Sequence, residues 1–388
     1  MNYTLKENVL TIKPQGRIDS TNAADKEKEI FALCEDNAFE DLILDFDEIE
    51  YISSAGLRVV LRLRKRYQTL KVINVSSDVY EIFEMTGFTE MMPIEKGYRK
   101  LSVDGCEVIG VGANGKVYRI NDDTIVKVYL SPDSLDDIKK ERELAKKAFV
   151  LGIPTAISYD VAKIGDGYGS VFEMLDAKSL AQLLALNPQK IDDYVALSID
   201  LLKKIHGTKV EKGDMPDLKK AVVDWAEFVK EYLPADIGNK LVKMVKEIPD
   251  DEHMLHGDYY VRNVMLQGEE AMLIDMDTLG VGNSIIEFGS MFNAYKGFAS
   301  YDAEKSSKFL GFSSELATEF WDKSLKLYFG DSEKIAIVEK KAAIIGYMRL
   351  FRRLIRRGGL NDAESQKELA FYKERLCELI PTVDELWI

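Results

Sequence analysis

The residues that could do chemistry lie close together in one stretch, residues 256–277. Asp258 and Asn263 stand early in it, and an apolar run typical of a buried strand ends in Asp275. A carboxylate can accept the proton of an attacking hydroxyl, and carboxylate and amide oxygens are ligands suited to Mg²⁺. We therefore predict that Asp258 is a catalytic base and that Asn263 and Asp275 bind metal, as phosphoryl transfer requires. The alternative is a solvent-exposed, Asp-rich turn.

A glycine-rich run, GVGANG at residues 110–115, lies between two strand-like stretches upstream. Glycines let backbone N–H groups approach phosphate oxygens without interference from a Cβ atom. We predict that Gly110, Gly112 and Gly115 bind a nucleotide through its phosphates. An ordinary hairpin turn would give the same pattern.

A single lysine, Lys127, stands in the middle of the apolar strand-like run at residues 125–129. An ammonium in such a place is costly unless it meets a carboxylate or a phosphate. Glu141, on a helix predicted over residues 136–151, could hold this lysine toward nucleotide phosphates. Glu143 is the rival partner, and a solvated helix face is the alternative interpretation of Glu141.

The pattern of residues 3–94 predicts a small α/β domain, which we place at residues 1–97. Strand-like and helical stretches alternate along it, and Ser20 or Thr21 would cap the first helix. The clearest stretches are strands at 9–12 and 41–45 and helices at 20–37 and 55–67.

A second domain, of α+β type with two lobes, is predicted over residues 103–388, because the apolar pattern lapses at residues 95–100. Short strands frame one helix in the N-terminal lobe, about residues 103–175. The C-terminal lobe, about residues 176–388, is helical except for a hairpin-like stretch at 255–277.

These motifs, in this order, resemble the aminoglycoside phosphotransferase and choline kinase group of enzymes, which have a protein-kinase-like fold. The resemblance covers residues from about 103 to the C terminus, and it implies ATP and Mg²⁺ as cofactors and a hydroxyl as the acceptor. It also implies that the backbone of residues 172–175 meets adenine, which gives Glu173 and Leu175 nucleotide-binding roles. Glu287 stands where the family usually has an aspartate, and His256 is expected to brace the loop rather than act as a nucleophile.

The segment at residues 45–58, with Gly16-Arg17-Ile18-Asp19 upstream, resembles STAS domains, the anti-sigma-factor antagonist module, over essentially residues 1–95. Ser53 or Ser54 would cap the helix that begins here. The resemblance implies a possible protein partner and makes Ser54 the candidate for regulatory phosphorylation, whereas Ser53 stands where an aspartate is common. Simple capping is the alternative.

Composition narrows the class of protein. The 388 residues are 46% hydrophobic and 30% charged with a net charge of −14, which opposes nucleic-acid and anionic-membrane binding through the global field. The three cysteines are too few and too scattered for a disulfide framework or a zinc cluster, so we expect a reducing, cytoplasmic compartment. No apolar run approaches the length of a bilayer span.

Residues 347–359 carry arginines at helical spacing beside an apolar stripe and end at glycine, which predicts an amphipathic helix. Arginines extended over a core helix and a site for an anionic acceptor or partner are both open interpretations. Because aminoglycosides are cationic, this cluster argues mildly against them as acceptors.

Three functional hypotheses follow from the sequence. The leading one is an ATP-dependent kinase for a small-molecule hydroxyl, with the STAS-like domain as a regulatory or docking module. The alternative is a signalling protein whose kinase domain phosphorylates Ser54 or a partner protein. The third is a catalytically silent nucleotide-binding scaffold, which the presence of Asp258, Asn263 and Asp275 together disfavours.

Overall fold

The computed structural model describes residues 1–112, 115–131, 133–330 and 332–388. Two residues of the glycine-rich run, Ala113 and Asn114, therefore lie outside the described residues. The chain divides into two compact units: Met1–Gly105 with Val161–Gly169, and Cys106–Asp160 with Ser170–Ile388. The domain limits drawn from the sequence, 1–97 and 103–388, stay a prediction.

The first unit contains a five-stranded sheet in the order β1-β2-β4-β6-β7, parallel except for the antiparallel β1–β2 pair. A parallel two-stranded sheet, β3–β5, accompanies it. The strands are β1 Asn2–Lys6, β2 Val9–Lys13, β3 Gly16–Ile18, β4 Asp41–Asp45, β5 Ile49–Ile52, β6 Lys71–Val75, β7 Ile94–Lys96 and β8 Arg99–Lys100, and the helices are α1 Ala23–Asp36, α2 Ser54–Arg66, α3 Ser77–Met85 and α4 Phe88–Met91.

The predicted α/β character of this unit is confirmed, and so are its clearest strands and helices. Strand burial follows the period of two expected for a sheet, so that alternate side chains enter one core. The predicted cap of α1 is wrong. The Asp19 side chain accepts hydrogen bonds from the Thr21 N–H and hydroxyl, which makes a turn, and the helix begins after Asn22 instead.

The N-terminal part of the second unit contains strands β9 to β11 and β13 in one sheet, with β11 between β10 and β13. The β9–β10 and β10–β11 pairs are antiparallel, and one helix, α5, follows β11. The elements are β9 Glu107–Val111, β10 Gly115–Arg119, β11 Thr124–Tyr129, α5 Leu135–Val150 and β13 Gly167–Glu173. All but the first residue of β12 Asp160–Ile164 belong to the first unit.

The rest of the second unit is mainly helical, as predicted, and the hairpin-like stretch is the antiparallel pair β16–β17. Its first helix starts with a capping box, in which Ser179 and Gln182 exchange side-chain-to-backbone hydrogen bonds. The elements are β14 Lys178–Ser179, α6 Leu180–Leu186, α7 Ile191–His206, α8 Leu218–Lys230, α9 Ala235–Lys246, β15 Met254–Leu255, β16 Val264–Gln267, β17 Glu270–Leu273, β18 Gly280–Val281, α10 Ile285–Phe292, α11 Phe298–Tyr301, α12 Ala303–Leu310, α13 Ser314–Phe329, α14 Ser332–Arg356 and α15 Ala363–Leu379.

The predicted arginine-rich helix is the last part of α14, a helix of 25 residues. It ends at Arg356, and Gly358 follows with φ of +85°, a left-handed conformation that glycine adopts at low cost. Among the described residues, none of the helices combines the length and the apolar content that a bilayer span needs.

Candidate active site

The loop that carries Asp258 connects β15 to β16 and turns sharply at Gly257. Gly257 has φ of +81°, and a Cβ atom there would lie 2.4 Å from the Thr278 carbonyl oxygen. Only glycine fits this approach. The Thr278 hydroxyl in turn donates to the His256 carbonyl oxygen at 2.9 Å, so the loop is held against the segment after β17.

His256 braces this loop from inside the protein, since it is completely buried. Its Nε2 lies 3.1 Å from the Ile274 carbonyl oxygen, and its Nδ1 lies 3.3 Å from the Asp258 backbone nitrogen. A carbonyl can only accept and an N–H can only donate, so Nε2 is the donor to Ile274 and Nδ1 is the acceptor from Asp258. This geometry matches the bracing role expected from the sequence.

Glu287, on α10, is the buried anchor of the same loop. Its carboxylate accepts hydrogen bonds from the backbone N–H groups of His256 at 2.6 Å, Gly257 at 3.0 Å and Tyr259 at 3.2 Å. Burial alone would raise the pKa of Glu287, but His206, His256 and the backbone donors together lower it. The acid that replaces the family's usual aspartate therefore stays ionised and fixes the loop backbone.

Asp258 is the exposed member of the loop, with 37% of its side chain accessible. Its Oδ1 accepts from the Ser290 hydroxyl at 3.2 Å and from Arg349 Nη2 at 3.1 Å. Arg349 also donates to Ser290 Oγ at 2.7 Å and to the Gly257 carbonyl oxygen at 3.0 Å. Sequence reasoning missed Ser290 and Arg349, although it had noted the arginines of this helix.

The two predicted metal ligands are tied together through the backbone. Asn263 is buried, its Nδ2 donates to the Asp258 carbonyl oxygen at 2.9 Å, and its own carbonyl oxygen accepts from the Ile274 N–H at 3.0 Å. Asp275 follows directly with φ of +64°, which aspartate tolerates better than most residues. Asn263 and Asp275 thus lie at adjacent points of the site.

These donors suit Mg²⁺ in kind. The Asn263 amide nitrogen is already engaged, so its oxygen is the atom left for a cation, and the Asp275 carboxylate adds a second hard oxygen. Among the described residues, no group of three or more His, Cys, Asp and Glu side chains could hold a metal ion. The magnesium roles of Asn263 and Asp275 stay predictions.

Lys127 has Glu141 as its partner rather than Glu143. Its Nζ donates to Glu141 Oε1 at 2.9 Å and to Asp275 Oδ1 at 2.6 Å, whereas Glu143 pairs with Lys146 on the surface of α5. Burial alone would lower the pKa of Lys127, but the carboxylates of Glu141 and Asp275 outweigh it and raise the pKa. Glu141 is 7% exposed, which excludes the solvated-face interpretation.

Asp277 lies beside this group of charges. Burial, followed by repulsion from Asp275 and Glu141, raises its pKa to about 6.

The three glycines of the run lie at or next to the facing ends of the antiparallel strands β9 and β10. The Gly112 N–H donates to the Gly115 carbonyl oxygen at 2.9 Å, and a Cβ on Gly115 would lie 2.3 Å from the Val128 carbonyl oxygen. Strand packing therefore requires glycine at position 115, and the nucleotide-binding roles of Gly110, Gly112 and Gly115 stay predictions.

At the hinge, Glu173 is the exposed last residue of β13 and Leu175 is half-buried. The N–H of the intervening Met174 donates to the Asp123 carbonyl oxygen at 2.9 Å. Contacts of Glu173 and Leu175 with a nucleotide stay predictions.

The first unit contains the other candidate site, at the start of α2. Ser53 is the helix cap, because its hydroxyl accepts from the Ala55 N–H at 3.1 Å. Ser54 is the first helical residue and is exposed. The sequence left both serines open as the cap, and the structure leaves the Ser54 hydroxyl outside the cap.

The fold and the site together define a kinase-type phosphotransferase with an N-terminal STAS domain. The chain belongs to the phosphotransferase enzyme family, whose model matches residues 105–310, and the STAS domain model matches residues 1–101. The anti-sigma factor antagonist BtrV of Bordetella bronchiseptica is 38% identical over 84 residues, which are 21% of this chain and 72% of that protein.

Solved structures of aminoglycoside phosphotransferases share the fold. A thermostable mutant of APH(4)-Ia in ternary complex with ADP and hygromycin B is 9% identical, with a TM-score of 0.51 over 72% of this chain and 94% of that one. A second mutant, in complex with AMP-PNP and hygromycin B, is 10% identical, with a TM-score of 0.50 over the same shares. The predicted kinase-like fold is confirmed at this level.

Proposed function

We propose that this protein transfers the γ-phosphoryl group of ATP, with Mg²⁺, to a hydroxyl of a small molecule. The observation that carries the proposal is the position of Lys127, whose Nζ bonds both Glu141 and Asp275. That contact joins a strand, a helix and the end of β17 at one point, beside the loop of Asp258. Kinases need this combination of a held lysine, a metal-binding carboxylate and a base.

Each residue has a defined task in this proposal. Glu141 orients Lys127 toward the α- and β-phosphates, and Asn263 and Asp275 would hold Mg²⁺ through oxygen atoms. Bound Mg²⁺ supplies positive charge that offsets the charge of the phosphates. A metal ion held by Asp275 would compete with the contact between Asp275 and Lys127, and Glu141 would keep the lysine in place.

Asp258 is the base that orients the acceptor. Both of its described hydrogen bonds, from Ser290 and Arg349, end on Oδ1. Among the described residues none donates to Oδ2, which is therefore the atom available to accept the proton of an acceptor hydroxyl. Ser290 and Arg349 hold the carboxylate through Oδ1 and leave Oδ2 without a described donor.

The test is ADP formation by the purified protein with ATP, Mg²⁺ and a panel of small alcohols, measured for the wild type and for Asp258→Asn. We expect acceptor-dependent ADP formation that chelation of Mg²⁺ abolishes and that the variant lacks. If ADP forms at the same rate without any acceptor and in the variant, the proposal is wrong.

A second candidate function is favoured by the exposed Ser54. A phosphate on this hydroxyl would lie at the N terminus of α2, where free N–H groups and the helix dipole stabilise negative charge. The kinase domain would then modify Ser54 or a partner protein. Intact-mass spectrometry after incubation with ATP and Mg²⁺ tests this: phosphate on the wild type and none on Ser54→Ala would support it, and unmodified wild type would exclude self-modification.

A further inference from the structure

Four arginines follow Arg349 at the C-terminal end of α14 and directly after it: Arg352, Arg353, Arg356 and Arg357, the arginine cluster. Of the four, all but Arg352 are exposed. Among the described residues, no carboxylate lies within ion-pair distance of any of them. The chain has 66 acidic and 52 basic residues, so a shortage of carboxylates does not explain why the arginine cluster lacks ion-pair partners.

The charge of the cluster is therefore only partly compensated inside the protein: Asp224 attracts Arg352 and Asp258 attracts Arg353, but neither carboxylate lies within ion-pair distance. Burial, then the neighbouring Arg357 and Arg349, lower the pKa of Arg353. Burial and Arg356 lower that of Arg352 in the same way. Repulsion between like charges destabilises the free protein, and a bound anion would relieve it.

The cluster is continuous with the catalytic carboxylate. Arg349, which bonds Asp258, stands one helical turn before Arg353 on the same face of α14. Arg353 interacts electrostatically with both Asp258 and Tyr260. The positive surface thus begins at the proposed base and extends toward the C-terminal end of the helix.

Two aromatic side chains, Trp225 and Phe228, contact the arginines at the start of this positive surface. The guanidinium groups of Arg349 and Arg352 lie 5.5 Å and 5.7 Å from the centre of the Trp225 ring, and Arg352 also lies 6.0 Å from Phe228. Cation–π contacts orient arginine without consuming its hydrogen-bond donors. The N–H groups of Arg349 bond Asp258, Ser290 and Gly257, whereas the contacts of Arg352 with the two rings leave its N–H groups available to a ligand.

We infer that the phosphoryl acceptor is an anionic alcohol, a small molecule that carries a phosphate or carboxylate group in addition to the hydroxyl that reacts. This inference rests on the proposed function and specifies its substrate class. Arginine binds phosphate and carboxylate with paired, charge-assisted hydrogen bonds. Cationic acceptors would be repelled by the same surface. Favourable interaction with the helix C terminus accounts for arginines near the end of α14, but not for a cluster without a carboxylate partner beside the base.

The experiment compares neutral, anionic and cationic alcohols as acceptors. ADP formation is measured with glycerol and glycerol phosphate, glucose and glucose phosphate, and glycerate and gluconate, with choline and kanamycin as cations. We expect turnover with members of the anionic group and a rate that falls as salt rises. The phosphate esters and the carboxylates separate the two sources of charge.

Variants locate the effect. For Arg353→Gln and for Arg356→Gln we expect the KM for the anionic acceptor to rise about tenfold each, the loss of one charge-assisted contact. Arg58→Gln is the matched control, because Arg58 is exposed on α2 and has no ion pair in the described part of the chain. Its KM should stay at the wild-type value.

Three results overturn the inference. Preference for glycerol, choline or kanamycin over the anions would leave the proposed function standing and remove the anionic acceptor. Phosphoryl transfer only to protein hydroxyls, on Ser54 or within an acidic segment, would show that the acceptor is a protein and not a small anion. Absence of nucleotide-dependent transfer to every acceptor would remove the proposed function as well.

Discussion

The two sides of the active site handle charge in opposite ways. On the nucleotide side, Lys127 and Glu141 are largely buried and form an ion pair, and the half-exposed Asp275 also bonds the lysine. On the acceptor side, the arginine cluster has no carboxylate partner among the described residues, although it begins next to Asp258. A charge in a low-dielectric environment must be paired within the folded protein, whereas a charge at the surface can stay unpaired until a ligand binds. The difference supports the inference that the acceptor side of the proposed site binds a negatively charged group.

The largest expected effect comes from the residue between the two sides. Asp258→Asn keeps the size of the side chain but removes its ability to accept a proton, so kcat should fall about a thousandfold. Steady-state ADP formation measures it. Asp193→Asn, which changes an exposed aspartate on α7, is the control and should leave kcat unchanged. A loss below about tenfold in Asp258→Asn would remove the base from the mechanism.

The next effect tests the nucleotide side with a matched pair on one helix. Glu141→Gln deprives Lys127 of its buried ionic partner, and the KM for ATP should rise about thirtyfold, equivalent to about 2 kcal/mol. Glu143→Gln removes an exposed acid two residues away and should change the KM less than about twofold. Equal effects of the two substitutions would contradict the assignment of Glu141.

Substitution of Glu287 tests whether a charged side chain is needed to hold the backbone of the loop that carries Asp258. Glu287→Gln replaces a carboxylate that accepts three backbone N–H bonds, and the free energy of unfolding should fall by about 2 kcal/mol. The kcat should fall with it because the loop positions Asp258. Glu287→Asp keeps the charge and should lose less. Chemical denaturation of both variants measures the difference.

The pH dependence of that loss has a definite sign. The pKa of Glu287 in the folded protein lies below its ordinary value of 4.5, so its stabilisation is fully present above about pH 4.5 and is lost as the pH falls through the folded pKa. The difference in unfolding free energy between wild type and Glu287→Gln should therefore be constant near neutral pH and shrink in acid. A difference that grows in acid would reverse the argument.

The smallest expected effect concerns the cap of α2, outside the active site, and gives a reference for the other variants. Ser53→Ala removes the cap of α2 and should cost about 1 kcal/mol of stability. Ser54→Ala removes an exposed hydroxyl and should change stability by less than about 0.5 kcal/mol. Thermal unfolding of the two variants compares them. A larger loss for Ser54→Ala would make Ser54 the structural serine.

Sequence reasoning brought the right residues together where they are close along the chain, although their chemical roles stay predictions. Asp258, Asn263 and Asp275 stand within one hairpin, and the cost of burying the Lys127 ammonium pointed to a carboxylate on the next helix. The sequence also predicted both fold types, since the change from alternating elements to a helical lobe is visible in the apolar pattern.

What sequence reasoning missed depends on contacts between distant segments. Arg349 and Asp258 are 91 residues apart, and Glu287 reaches His256 across 31 residues. These contacts arise from how α10 and α14 pack, which periodicity does not encode. Which of Ser53 and Ser54 caps α2 is a matter of one residue in helix position, and element boundaries are the least predictable feature of a sequence.

The most direct test of the central claim is phosphorus NMR of a reaction containing the protein, ATP, Mg²⁺ and an anionic alcohol such as glycerol phosphate or glucose phosphate. Phosphoryl transfer directed by Asp258 predicts ADP and a new phosphate ester in equal amounts for the wild type, and neither product for Asp258→Asn. Inorganic phosphate as the only new phosphorus product, or the same ester from the variant, would contradict it.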